Sequence, residues 1–287
     1  MILRIYHSTQ YMYAAPAFDS YNEVRLMPME TEHQRVRRFE LAVAPRVRLY
    51  DFDEPGGRVH HFKVSEPHLS LQVFMRAEVE TYLANPWDGL DTESPDLAAY
   101  RAPEWRQRFA EYLIPSPLVP SVEAVTRMAA SIAPHATNTL DYLQALAAHI
   151  HHEFRYDTDA THVHTTVEEV LHQRAGVCQD FAHLMICACR SRNIPARYVS
   201  GYLYIGGAPE MRGEAAMHAW VECTLPGGAW VGIDPTNNLL ANDRYVRVFT
   251  GRDYGDVVPT RGIYTGGATV SLQVAVQVED LNPVSHR

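Results

Sequence analysis

Cysteine is scarce: Cys178, Cys187, Cys189 and Cys223 are the only ones in 287 residues. Nowhere does the chain run apolar for the roughly 18 residues that a membrane helix requires, so no membrane partner is expected. The opening MILRIYHSTQYMY has one early Arg, no sustained apolar run, and the alternation of a strand. It lacks the pattern of a secretory signal, and the expected setting is cytoplasmic, with free thiols. Basic residues are also short, with 25 Lys and Arg against 34 Asp and Glu and a net charge of −9. Nucleic acid is therefore not an expected partner, because phosphate backbones select basic surfaces. Glycine and proline, 16 and 18 in number, are too few for a fibrous or low-complexity chain.

Several motifs are missing as well. The 15 histidines invite a metal reading, and His149, His151, His152, His162, His164 and His172 cluster along the chain. Yet there is no HExxH and no paired CxxC, so structural or surface roles are expected and no metal site. No acidic loop of the calcium-binding pattern and no glycine-rich phosphate cradle is present. Gly206-Gly207 and Gly266-Gly267 read as turns. The chemistry expected of this chain needs no cofactor.

What is present is enough apolar residue, 46%, to fill real cores over a length that suits two domains. Residues 1–85 read as a β domain, a sandwich or barrel of short strands with period-two patterning, punctuated by Pro45 and by Glu54-Pro55-Gly56-Gly57. Asp51, Asp53, His60 and His61 sit near a turn and read as solvated. Residues 86–134 are proline-rich and read as a linker with short helices, over Ala102 to Leu113 and Val122 to Ile132. Residues 135–287 read as a catalytic core and a C-terminal strand. Thr139 to Glu153 has a helical apolar stripe, Thr165 or Thr166 caps a helix over Val167 to His172, and another helix begins at Cys178. Strands follow over Arg197 to Tyr204, His218 to Thr224 and Ala229 to Ile233, with Pro226-Gly227-Gly228 as a hairpin turn. The fold class is α+β, a helical half against an antiparallel sheet. Near the end, ATVSLQVAVQVE alternates as an amphipathic strand.

A thiol nucleophile needs exposure, an environment that favours its anion, and a base within reach. Cys178 follows Gly176 and starts a helix, where orphan backbone N–H groups and the helix field favour negative charge. Gly176 lets the chain turn tightly and leaves room for substrate backbone. Cys187 and Cys189 lie inside the same helix, and Cys223 has strand parity opposite to His218, so all three read as structural. His218 opens a strand and Asp234 ends the next, at the same end of one hairpin. A carboxylate there can hold one ring nitrogen while the other faces the thiol. Trp220 shares a strand face with His218 and reads as a shield or a wall of the substrate pocket. Asn237 and Asn238 read as turn formers, and Arg252, Asp253, Tyr254 and Asp256 as a polar run.

GVCQDFAHLM, IPARYVSGYL, MHAWVE and GIDPTNN closely resemble the bacterial transglutaminase-like superfamily, whose members are often described as cysteine proteases. The early β region resembles the N-terminal domain that such bacterial proteins carry. The resemblance implies a papain-like α+β core and a triad of Cys178, His218 and Asp234. It implies acyl transfer through a Cys178 thioester on a peptide, isopeptide or side-chain amide. Hydrolysis is favoured over amine transfer, because water is always present and an amine acceptor needs its own site. A non-catalytic binding module on the same fold is the remaining alternative. The oxyanion needs two donors. The Cys178 backbone N–H is one, and Tyr156 or Gln179 is the other. The expected partner is a peptide or protein amide substrate. Oligomeric state is not legible.

Overall fold

Alternating apolar and polar residues near the N-terminus build one sheet. A computed structural model of the chain describes residues 1–90, 100–206, 208, 211–212 and 217–282. Residues 91–99 of the linker and Gly207 of the Gly206-Gly207 turn lie outside the described residues. The first strands are β1 (Ile2–Val24), β2 (Gln34–Ala44), β3 (Tyr50–Glu54), β4 (Gly57–Val64) and β5 (His68–Thr81). They order as β2-β5-β1-β4-β3, all antiparallel, in a curled sheet. Leu71, Val73, Met75, Ala77 and Val79 form the buried face of β5. The matching positions of β1 are Leu3, Ile5, His7 and Thr9, so two of its inward residues are polar.

The linker region holds α1 (Pro103–Arg108) and α2 (Glu123–Ile132). The helix expected over 102–113 is interrupted. Phe109 leaves helical geometry at φ −115° and a single 3₁₀ turn, Ala110–Tyr112, follows. The reason is tertiary: Phe109 is buried against Trp105 and Trp230, and that packing outweighs local propensity.

The core then runs through α3 (Thr139–Glu153), β6 (Arg155–Tyr156), α4 (Val167–Gln173), β7 (Ala175–Gly176) and α5 (Cys178–Ser191). Asn138 caps α3 by accepting the Asp141 N–H at 2.9 Å, and Thr166 with Glu169 forms a capping box on α4. Helix α5 is buried almost throughout. Its Phe181, Leu184, Met185 and Ile186 each contribute about 1.5–3 kcal/mol relative to exposure. A second sheet packs on it. Its strands are β8 (Ala196–Leu203), β9 (His218–Thr224), β10 (Trp230–Asp234), β11 (Leu239–Leu240) and β12 (Tyr245–Gly251), ordered β11-β10-β9-β8-β12.

After α6 (Tyr254–Val257) come β13 (Thr260–Gly266) and β14 (Thr269–Asp280). The sequence groups them with the core, but both hydrogen-bond to β1 and complete the first sheet. At the step between them, a Cβ on Gly266 would lie 2.2 Å from the Pro16 carbonyl oxygen, so only glycine lets the chain press so closely on β1. The expected amphipathic strand is present, yet Val270, Leu272 and Val274 remain exposed on it. The two sheets are clamped by polar contacts. Gln34 donates to the Arg247 carbonyl at 2.8 Å and accepts the Arg247 N–H at 2.8 Å. Thr81 donates to the Asp243 carbonyl at 2.6 Å.

Candidate active site

The start of α5 is shaped by Asp180. Its Oδ2 accepts the Val177 N–H at 2.8 Å and the Thr161 hydroxyl at 2.7 Å, tying the helix start to the loop before α4. Gly176 serves this cap. A Cβ there would lie 2.8 Å from Asp180 Oδ2, so the missing side chain makes room for the capping carboxylate rather than for substrate backbone. Gly176 also pairs in parallel with Tyr156, and the Asp157 N–H donates to the Gly176 carbonyl at 3.0 Å. That short ladder holds Tyr156 beside the helix start. Cys178, the first residue of α5, is half-buried, and the other three thiols are buried.

His218 and Asp234 are both buried, at the open end of the β9–β10 hairpin. His218 Nε2 donates to Asp234 Oδ2 at 2.8 Å. The same oxygen accepts Tyr245 Oη–H at 2.8 Å and Asn237 Nδ2–H at 2.7 Å. Oδ1 accepts the Thr236 N–H at 2.8 Å and the Asn237 N–H at 3.2 Å. Burial alone would lower the His218 pKa. The Asp234 charge and hydrogen bond, helped by Cys178, outweigh it and raise it to about 10. Burial alone would raise Asp234, and the His218 charge with its hydrogen bonds holds it below the usual range. His218 Nδ1 has no hydrogen-bond partner among the described residues. The Cys178 sulfur is near enough to favour the imidazolium, without closing a hydrogen bond to that nitrogen.

Cys178, Gln179, Tyr156 and His218 line one cavity of about 450 Å³. Its far wall comes from the first sheet: His7, Thr9 and Tyr11 of β1, with Leu272 and Val274 of β14. No Asp, Glu, Lys or Arg lines it among the described residues. His7 bridges the two sheets, with Nδ1 3.0 Å from Tyr202 Oη and Nε2 2.8 Å from Thr9 Oγ1. Burial pushes His7 down to about 4, so it is neutral near pH 7. Burial pushes the Tyr156 phenol up to about 12, which keeps it an O–H donor.

Residues 126–235 match the transglutaminase-like superfamily core, and residues 3–80 match the bacterial transglutaminase-like N-terminal region. An uncharacterized protein of Mycobacterium leprae is 35% identical over 292 aligned positions, spanning 97% of this chain and 99% of that protein. The chain belongs to the transglutaminase-like superfamily. A solved structure of a candidate cysteine protease from Cytophaga hutchinsonii shares the superfamily fold seen here. It has a TM-score of 0.74 at 23% identity, over 98% of this chain and 92% of that one. A protein-glutamine gamma-glutamyltransferase of Pseudomonas aeruginosa is 38% identical over 69 residues, which are 22% of this chain and 10% of that protein.

Set against this superfamily chain's sequence, the structure gathers Cys178, His218, Asp234, Tyr156 and Gln179 at one end of the core. The Gln179 side-chain amide is directed to the Val163 carbonyl, at 3.4 Å. Trp220 does not line the cavity. Its buried ring stacks on His218, centroids 6.3 Å apart, against Tyr245 and over Gly201, so of the two roles read for it the pocket wall is corrected to packing against the imidazole, the position of a shield. The polar run divides: Tyr254 lines the cavity, while Asp253 caps α6 and Arg252 pairs with Asp256 at 2.8 Å. Asn238 has φ 53° and forms the turn as read, but Asn237 also donates to Asp234. Tyr245, Asn237 and the β1 residues were missed. The one available signal was a His and a Thr at apolar parity in β1.

Proposed function

We propose that this chain is a cysteine-dependent acyl-transfer enzyme acting on peptide, isopeptide or side-chain amides. The observation that carries the reading is an imidazole held by Asp234 through one nitrogen, its other nitrogen unbonded, beside a half-exposed helix-start thiol on one cavity. In the proposed cycle the Cys178 sulfur attacks the amide carbon, with His218 carrying the proton. The Cys178 N–H and the Tyr156 O–H stabilise the oxyanion. Tyr156 is preferred over Gln179, whose amide is engaged by Val163. His218 then protonates the leaving amine, and the C–N bond breaks to leave a thioester. Water, deprotonated by His218, resolves it to the acid and free thiol.

Transfer to an amine is the second reading. It draws support from the stretch shared with the Pseudomonas aeruginosa protein-glutamine gamma-glutamyltransferase. Incubating Gln-containing peptides with the wild-type chain and with Cys178→Ala, followed by mass spectrometry, separates the readings. Hydrolysis predicts acid or cleaved peptide with wild type alone. Dominant adducts with an added primary amine would favour transfer. Products that persist in Cys178→Ala, or no product from either protein, would sink both.

A further inference from the structure

We propose that the outer edge of β14 is a docking rail, on which an extended, uncharged peptide segment flanking the reacting amide adds as a further strand. The inference rests on the acyl-transfer reading and names its substrate as an unfolded or extended stretch of polypeptide. Three observations carry it.

The first is the edge itself. Strand β14 spans 12 residues and, among the described residues, pairs with β1 alone. Its other side presents backbone N–H and C=O groups ready for a partner strand. The second is how this edge differs from those of β2 and β3 in the same sheet. Edge strands are commonly protected by charge, and β2 carries Arg35, Arg37 and Arg38 while β3 carries Asp51, Asp53 and Glu54. From Thr269 to Val278, β14 has no charge and no proline. Such an edge invites unwanted pairing, so leaving it bare fits a strand that has a partner to receive.

The third is continuity with the cavity. Leu272 and Val274 share a strand face, Val270 stands just before them at the bulge where β14 shifts register on β1, and the three are 54%, 43% and 63% exposed. Leu272 and Val274 also line the Cys178 cavity, whereas Val270 lies outside it. A chain leaving the cavity on that side therefore runs onto the apolar strip. The absence of Asp, Glu, Lys and Arg from the described lining matches an uncharged occupant. Main-chain pairing supplies affinity with little demand on sequence, and alternate apolar side chains of the peptide meet the strip.

Hydrogen exchange tests this with Cys178→Ala, which binds without turnover, and a synthetic peptide of alternating Val and Thr around one Gln. Slowed exchange across residues 269–278 on adding peptide, weakened about tenfold in peptide affinity by Val270→Asp, is the expected result. In the Cys178 protein, Val270→Asp should lower the ratio of kcat/KM for that peptide to kcat/KM for Nα-acetylglutamine amide, also about tenfold. Unchanged exchange in β14, or an unchanged ratio, overturns the rail while leaving Cys178-dependent turnover, and so the acyl-transfer reading, intact. Protection of β14 with no turnover of either substrate supports the rail and sinks the reading of the reaction. Protection already present without peptide, with a dimer mass by light scattering, assigns the edge to a second copy and overturns the proposal.

Discussion

At the scale of single residues, burial separates one thiol from three. Cys187 is buried against the Pro120 carbonyl, and burial pushes its thiol up to about 11. Cys189 and Cys223 lie with sulfurs 3.7 Å apart in the core, and burial pushes Cys223 well up. Limiting iodoacetamide should therefore modify Cys178 first, with the other three reacting only after unfolding. Peptide mapping reads this directly, and early labelling at Cys187 or Cys223 would contradict it. Asp234 supplies a second prediction. Tyr245→Phe removes a donor to a buried carboxylate and should cost about 1.5–3 kcal/mol of stability. Under the proposed mechanism it should also lower kcat on the order of tenfold with little change in KM. Urea melts and steady-state kinetics check the two halves. Cys178, His218 and Asp234 were legible because a helix start and a hairpin place them locally. Tyr245 and His7 were not. Tyr245 reaches Asp234 from β12, a strand that pairs with β8 rather than β10, and His7 meets Tyr202 across 195 residues, and no local pattern records either contact.

At the scale of elements, the start of α5 depends on the fit between Gly176 and Asp180. Gly176→Ala should push the capping carboxylate aside and cost about 1–3 kcal/mol, as overpacking does. Asp180→Ala should cost about 0.5–2 kcal/mol through the lost cap. Both are measured by urea melts, and a Gly176→Ala protein as stable as wild type would refute the packing argument. The elements themselves were largely written in period and punctuation. The α3 bounds and the β9 bounds coincide with those expected, because a clean apolar stripe and a Pro-Gly-Gly turn leave few alternatives. The 102–113 segment was misread because Phe109 is claimed by Trp105 and Trp230, a contact invisible to local propensity. Residue parity did place Cys223 correctly, away from His218 and against α5.

At the scale of the whole molecule, three buried histidines set the response to pH. His7 and His183 are pushed down to about 4 by burial. Between 4 and their unfolded value of 6.5, the unfolded chain binds more protons, so their contribution to stability is lost as pH falls through that range. His218 has the opposite sign. Raised to about 10, it contributes stability fully present below 6.5 and lost as pH rises toward 10. Thermal melts should therefore peak near pH 6.5, and His218→Gln should flatten the alkaline side. A wild-type melting temperature that climbs steadily from pH 7 to 10 would refute the assignment. The architecture at this scale was only half legible. Two units could be read from composition, but the return of β13 and β14 to β1 could not, since a strand's alternation names its face and not its neighbour.

Because β1 lies between β5 and β14 along its first half, strands far apart in the chain share a single wall. During translation, a ribosome-bound fragment ending before β13 already contains Cys178, His218 and Asp234 but lacks Leu272 and Val274. The Cys178 thiol therefore faces an unfinished chamber until synthesis reaches β14. Removal of β14 would likewise leave Cys178 and His218 in place and take one wall from their cavity.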